Sequence, residues 1–387
     1  MTPRQDKTAK DFSRREFLKR GATGAAILAG GPVLLAACGD DDAPIAATTP
    51  ATATPAEPYK VGYGYIGPKE DNGWSKTHDI GRLAVEARVP NVVTSFTENI
   101  PFSAEATPIF ENIAAQNDMI VINSEWADLL YPVVERWPDK PFLECDGHKF
   151  DLANLRQYYV SHHGPAYVMG VAAGLLTESN RLGYVGAFPT PSVYNDTNAF
   201  LLGARTTNPD VELSVVMIFN FFDPPAATQA TNALIDGGAD VVFDIQDDTT
   251  PLAVCQERGV WSCIWNKDNR EFGPDAFVNA IALDWDDYYV QQVESAIAGT
   301  FGNKPSGPDL LGVGEGVDTT PWGKNVPQEV ADVAEAARSG LLDGSVNVYE
   351  GPLNDNEGNQ RLAAGEIIDD RTAYDVNWSI EGITGVV

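Results

Sequence analysis

Basic residues are scarce in this chain: 26 Lys and Arg face 55 Asp and Glu over 387 residues, a formal net charge of −29. A surface of that sign repels phosphate backbones and anionic headgroups, which argues against a nucleic-acid partner. Histidine and cysteine are scarce too, with four of each. His78, His148, His162 and His163 form no i, i+4 pair and have no cysteine at ligand spacing, so neither zinc nor another metal or cofactor is expected. No G-x-S-x-G elbow occurs, and the Ser, His and Asp residues offer no recognisable triad, so no catalytic residue is assigned. Beyond the first 37 residues nothing approaches the ~20 uninterrupted apolar residues of a membrane span. No repeat at solenoid period is present.

The first residues read as an address. Arg14-Arg15 precede a Gly- and Ala-rich run, Gly21 to Ala37, which ends in Leu35-Ala36-Ala37-Cys38. Twin arginines with this flank resemble a Tat export signal, and the small residues before Cys38 resemble a lipoprotein processing site, so residues 1–37 are expected to be removed and Cys38 to carry lipid. Residues 38–58, rich in Ala, Thr, Pro and Asp, read as a lipidated tether with too few large apolar residues to fold. The first 37 residues hold seven Lys or Arg against three Asp or Glu, so the remainder stands near −33. The place expected for it is the outer face of the cytoplasmic membrane, or the periplasm. Export permits a disulfide, and Cys255 with Cys263 is the close pair. Buried free thiols are favoured, because Cys145, Cys255 and Cys263 leave one unpaired whichever two join.

About 330 residues exceed the usual size of one core and point to two lobes. Strand-like runs fall near 61–66, 91–96, 119–123, 141–146, 182–187, 213–219, 240–245, 260–265 and 277–283, with helical segments such as 104–116, 165–177, 226–236 and 288–298 between them, and a further helix over 327–338. This alternation predicts an α/β fold, parallel sheets with helices on both faces. The segment Ala166 to Leu176, apolar on almost every side, is predicted to be a buried helix.

The stretch Gly64 to Gly81 reads as strand, loop and helix, with Ile80, Leu83, Ala84 and Ala87 on one helical face. Its loop carries Asp71, the turn pair Asn72-Gly73, and Trp74 where a helix begins with its N–H groups unpaired. Donors and a flat ring at the mouth of a parallel sheet suit a planar, polar small molecule. Gly62, Gly64 and Gly67 match G-x-G-x-x-G, but Pro68 follows and no helix opens there, so a dinucleotide site is not expected. The acidic pair Asp247-Asp248 offers acceptors for an amine or a nucleobase.

Together with KVGYGYIGPKEDNGWSKTHDIG and the closing WSIEGITG, the stretches VGAFPTPSVYNDTNAFLLGAR (185–205), FFDPPAATQATNALIDGGADVVFD (221–244) and VPQEVADVAEAARSGLLDGSVNVYEGPLNDNEGN (326–359) closely resemble the basic-membrane-protein family. These are solute-binding lipoproteins of ABC importers, the best-known of which bind purine nucleosides. The resemblance implies a type I periplasmic-binding fold, two Rossmann-like lobes joined by three crossovers with the ligand between them. Lobe one would be 59–156 plus 284–325, and lobe two 157–283 plus 326–387. It also implies a monomer that docks on a membrane permease and needs no catalysis. A ligand sensor for a signalling partner would use the same cleft, and a nucleoside hydrolase is the enzymatic alternative.

Carried over by motif, Asp71 or Asn72 and Trp74 would meet the base, with Phe221 or Phe222 as the second stacking ring. Phe188, Asn198 and Asp247 would lie at the cleft edge, and Asn266 and Asp268 where nucleoside binders hold the ribose. Leu283 stands where those binders place a lysine, and Trp285 would supply an apolar wall instead of a sugar contact. The resemblance with these departures ranks a purine base or related heterocycle above a purine nucleoside.

Overall fold

The computed structural model describes residues 57–385, so the expected signal segment, Cys38 and most of the tether lie outside the described residues. Strands β1 (Tyr59–Gly64), β2 (Val92–Thr97), β3 (Met119–Ile122), β4 (Phe142–Cys145) and β5 (Leu155–Val160) form a first sheet. Strands β6 (Arg181–Gly186), β7 (Glu212–Met217), β8 (Val241–Asp244), β9 (Trp261–Ile264) and β10 (Phe277–Leu283) form a second. The chain then returns. β11 (Asp309–Leu311) completes the first sheet in the order β11-β5-β4-β3-β1-β2, whereas β12 (Val317–Thr319) joins β10. After a short hairpin of β13 (Leu353–Asn354) and β14 (Gln360–Leu362), β15 (Ile383–Thr384) closes the second sheet in the order β12-β10-β9-β8-β6-β7-β15. All pairings in the two main sheets are parallel except β10 with β12. Every residue of β3, β4 and β8 is buried, the pattern of parallel strands covered on both faces.

Ten helices among the described residues cover the sheets: α1 (Trp74–Arg88), α2 (Ala106–Gln116), α3 (Tyr131–Arg136), α4 (His163–Leu176), α5 (Pro191–Thr207), α6 (Pro224–Asp236), α7 (Thr250–Arg258), α8 (Asp286–Ile297), α9 (Gln328–Asp343) and α10 (Asp370–Ala373). The predicted buried helix is α4, whose residues 163–174 are all buried. It crosses α5 in backbone contact: a Cβ on Gly170 would lie 2.1 Å from Phe200 O, and one on Gly203 2.1 Å from Tyr167 O. Gly62 and Gly64 instead make room for side chains: a Cβ would meet Asn117 and Ile113 at the first, and Ile122 and Ile100 at the second. Packing thus explains the first two glycines of the G-x-G-x-x-G match.

Two expectations are corrected. Strand β5 runs unbroken across the expected lobe boundary at 156/157, and 317–319, expected in lobe one, pair with the second sheet. Arg156 and Gln157 interrupt the apolar run of β5 and hid it; Arg156 is held by Asp309 of β11 at 2.6 Å. The apolar face expected of α1 is turned outward, with Ile80 and Leu83 44% and 49% exposed. The buried face carries His78, Gly81 and Val85, because α8 packs there: a Cβ on Gly81 would lie 2.8 Å from the Tyr289 ring.

Cys145, Cys255 and Cys263 are free and buried, as favoured from the sequence. No described helix is long and apolar enough to cross a membrane.

Candidate ligand-binding cleft

In parallel α/β sheets, loops at the carboxyl ends of strands form the binding crevice. Here the loop after β1 meets the loops after β8 and β9. Asp71 organises the first: its carboxylate accepts from the N–H groups of Gly73 (2.8 Å), Ser75 (2.9 Å) and Lys76 (3.0 Å), capping α1. Its oxygens are therefore turned to its own helix. Asn72 adopts a left-handed φ of 62° with its side chain in solvent, and its carbonyl accepts from Asn269 Nδ2 at 3.0 Å.

Trp74 begins α1 with its N–H free of any helical partner, and that N–H donates across to Asp247 Oδ1 at 3.0 Å. Its indole Nε1 donates to Asn123 O at 2.7 Å. The ring stands edge-on to His78 (4.5 Å between centroids) and Trp285 (5.8 Å), and 6.2 and 6.3 Å from Tyr159 and Trp265. Trp285 is 1% exposed and stacked on His78, its Nε1 donating to Thr77 Oγ1 at 3.2 Å, so it backs Trp74 from inside the first lobe. His78 Nδ1 is hydrogen-bonded to the Tyr289 hydroxyl, and burial pushes its imidazole well below the usual range.

Trp265 is the ring that faces Trp74 from the second sheet, where Phe221 or Phe222 was expected. Asp196 sets it there: this buried carboxylate of α5 accepts from Trp265 Nε1 (2.6 Å), Tyr184 Oη (2.9 Å) and His162 Nδ1 (2.6 Å). Phe221, Phe188 and the exposed Phe219 form a separate aromatic cluster at the rim, and Phe222 is 52% exposed. The cluster touches the cleft through its backbone, since Phe221 O accepts from Asp247 N–H at 2.8 Å.

Asn266, in a left-handed φ of 74°, donates from Nδ2 to Asp247 Oδ1 at 3.1 Å. Burial, then the charge of Asp71, pushes the Asp247 carboxyl up to about 8. Two expected contacts are occupied elsewhere. Asn198 lies inside α5, its amide binding Trp378 O and Ile380 N–H, each at 2.9 Å, and it clasps the C-terminal segment. Asp268 is paired with Arg270 at 2.6 Å. The structure thus brings together Trp74, Asp247, Asn266 and Trp285. It adds Trp265, Tyr159 and Gln246, each at or just after a strand end, a placement that could have flagged them. Gln246 is 2% exposed, and neither amide atom has a protein partner.

A cavity of about 130 Å³ continues past Tyr159 and His162, lined also by Asp146, His148 and Tyr374. A larger open groove, about 880 Å³, lies along Leu310, Leu341 and Leu342 away from these rings. Its lining mixes these leucines with polar and charged side chains, among them His163, Lys304, Asp370 and Arg371. Among the described residues no three His, Cys, Asp or Glu side chains come together as metal ligands.

A family profile described as ABC transporter substrate-binding protein, PnrA-like, matches residues 59–317. The chain belongs to the PnrA-like family. Family members are solute-binding proteins rather than an enzyme class. A purine-binding protein of Brucella abortus is 31% identical over 330 residues, 84% of this chain and 93% of that one. A putative ABC transporter glucose-binding protein of Haloferax volcanii is 33% identical over 79% of this chain and 78% of its own. Among solved structures, an ABC transporter solute-binding protein from Aeropyrum pernix superposes with a TM-score of 0.65 at 16% identity, over 75% of this chain and 93% of that one. One from Conexibacter woesei gives 0.61 at 20%, over 75% and 98%. The PnrA-like chain therefore has the type I periplasmic-binding fold anticipated from its sequence.

Proposed function

We propose that this PnrA-like protein is the extracytoplasmic receptor of an ABC importer, anchored through lipid on Cys38, and that it captures a free purine base. The observation that supports this reading is the aromatic wall shared by both lobes, Trp74 facing Trp265 with the Trp74 N–H bonded to Asp247. Flat rings above a polar strand-end edge match a planar heterocycle, and stacking on each ring adds ~1 kcal/mol beyond area burial. Of the cations in these loops Lys76 is paired with Glu70 and Arg270 with Asp268, while Lys267 is held by the Asn269 amide oxygen, so a phosphate would meet a single cation without an acidic partner, which disfavours nucleotides. Leu283, buried and donating its N–H to Asn266 O at 3.0 Å, offers a ribose no hydrogen bond from its side chain. This favours base over nucleoside.

Ligand contacts in both lobes shift an open–closed equilibrium toward the closed form, which docks on the permease; no chemical step is required. The name of the Haloferax relative favours a second reading, a sugar receptor. Thermal unfolding of ligand-free protein separates them. A ligand at about 100 times its Kd adds ~2.7 kcal/mol. Free purines are expected to raise Tm where nucleosides and glucose do not. A shift with glucose and none with purines would replace the purine reading by the sugar one.

A further inference from the structure

The strand-end edge below the rings is unbalanced in its hydrogen bonding. Gln246 Oε1 and Nε2 are both buried without a partner. Asn266 Oδ1 is likewise unpaired, although its Nδ2 is held by Asp247. Asp248 accepts from Thr250 N–H through Oδ1 at 2.7 Å and leaves Oδ2 buried and unpaired. With Asp244 Oδ2, also buried and unpaired at the end of β8, four oxygens thus stand with one amide donor. Native proteins rarely leave such atoms unanswered, and a set concentrated at one edge of a cleft marks what the ligand must supply. Burial pushes the Asp247 carboxyl up to about 8, which favours its protonated form. That adds one donor and still leaves acceptors in excess.

Resting on the purine reading above, we propose that Gln246, Asn266 and Asp248 together set the specificity of the cleft and that the ligand is an amino-oxopurine of the guanine type, with Gln246 on the edge that oxopurines share and the acceptors of Asn266 and Asp248 opposite the 2-position. A primary amide pairs two-fold with a base edge that offers a donor beside an acceptor. The ring N–H and 6-oxo of guanine form such an edge, and its 2-amino group supplies further N–H donors. Hypoxanthine lacks the amino group and leaves an acceptor unpaired. Xanthine puts a carbonyl where acceptors already stand. Sites built to hydrogen-bond a group reject analogues without it far more strongly than apolar walls do.

The test is titration calorimetry of the full chain, freed of carried-over ligand, with guanine, hypoxanthine, xanthine and glucose. Guanine is expected to bind at least tenfold tighter than hypoxanthine or xanthine. Gln246→Leu is expected to weaken all three, whereas Asp248→Asn, which keeps an oxygen for the Thr250 N–H and puts an NH₂ where Oδ2 stood, is expected to lose most of that margin. Should Gln246→Leu melt as an unfolded protein, Gln246→Glu keeps the shape. It exchanges the donor for an acceptor that opposes the 6-oxo shared by these bases, and is expected to weaken hypoxanthine at least tenfold. Equal binding of guanine and hypoxanthine, folded Gln246 variants with unchanged affinity, or a folded Asp248→Asn variant with unchanged selectivity overturns this inference and leaves the purine reading intact. Binding of glucose with no purine overturns both.

Discussion

Gly73 and Asp247 stand so close across the cleft that a Cβ on Gly73 would lie 2.6 Å from Asp247 Cα. The obstruction would be backbone, which cannot swing aside as a long side chain does. Gly73→Ala is therefore expected to hold the lobes apart, lowering ligand affinity at least tenfold and removing most of the ligand-induced rise in Tm. The ligand-free melt should change far less. Calorimetric titration with parallel melts checks this; unchanged affinity would mean that closure does not use this contact.

Asp196 accepts three hydrogen bonds while fully buried. An amide of the same shape presents one acceptor oxygen and an NH₂ that opposes a donor. Asp196→Asn is expected to cost about 2–4 kcal/mol, in line with losing charged hydrogen bonds and stranding a donor. Because Trp265 loses its anchor, the tryptophan emission maximum should move as well. Thermal melts and fluorescence spectra check the two effects separately.

Glu144 is buried on β4, accepting from Gln157 Nε2 at 2.8 Å, and burial pushes its carboxyl up to about 8; Asp146 is raised to about 6 by the same cause. Unfolded carboxyls titrate near 4. Between about pH 4 and 8 the folded chain therefore holds protons that the unfolded chain has released. Their contribution to stability is complete below about pH 4 and declines as pH rises through those folded values. Glu144→Gln removes this dependence at one site. The Tm of the variant relative to the native protein is expected to improve steadily from pH 5 to pH 8.

At the α4–α5 crossing, a Cβ on Gly170 would press on Phe200 O, whereas one on Gly302 would meet nothing within 4 Å. Overpacking of this kind costs about 1–3 kcal/mol or more. Gly170→Ala is expected at or above the upper end of that range, and Gly302→Ala within about 0.5 kcal/mol of neutral, the usual span for surface changes. Denaturant melts of the pair check the difference.

The nine strands read from apolar runs all lie within two residues of those found, because parallel strands buried on both sides show as continuous apolar segments. Six strands escaped: 155–160 is broken by Arg156 and Gln157, and 309–311, 317–319, 353–354, 360–362 and 383–384 are two or three residues long. Trp74, Asp247, Asn266 and Trp285 were found through loops after strands, yet their partners were not. Trp265 owes its place to Asp196, 69 positions away, and Gln246 owes its isolation to what fails to surround it. Neither relation leaves a local pattern. Asn198 misled for the opposite reason, since an amide that clasps residues 378–380 looks in sequence like one offered to a ligand.

The order of the strands also bears on synthesis. The first sheet waits for β11 at 309–311, and the second for β12 at 317–319 and β15 at 383–384. As the chain emerges from a ribosome, an almost finished first lobe exposes the open edge of β5 until more than 140 further residues have been added. Neither lobe can be cut out and produced alone without leaving an edge strand behind. A nascent chain of this topology stays vulnerable to sheet-edge association until nearly all of it has been made.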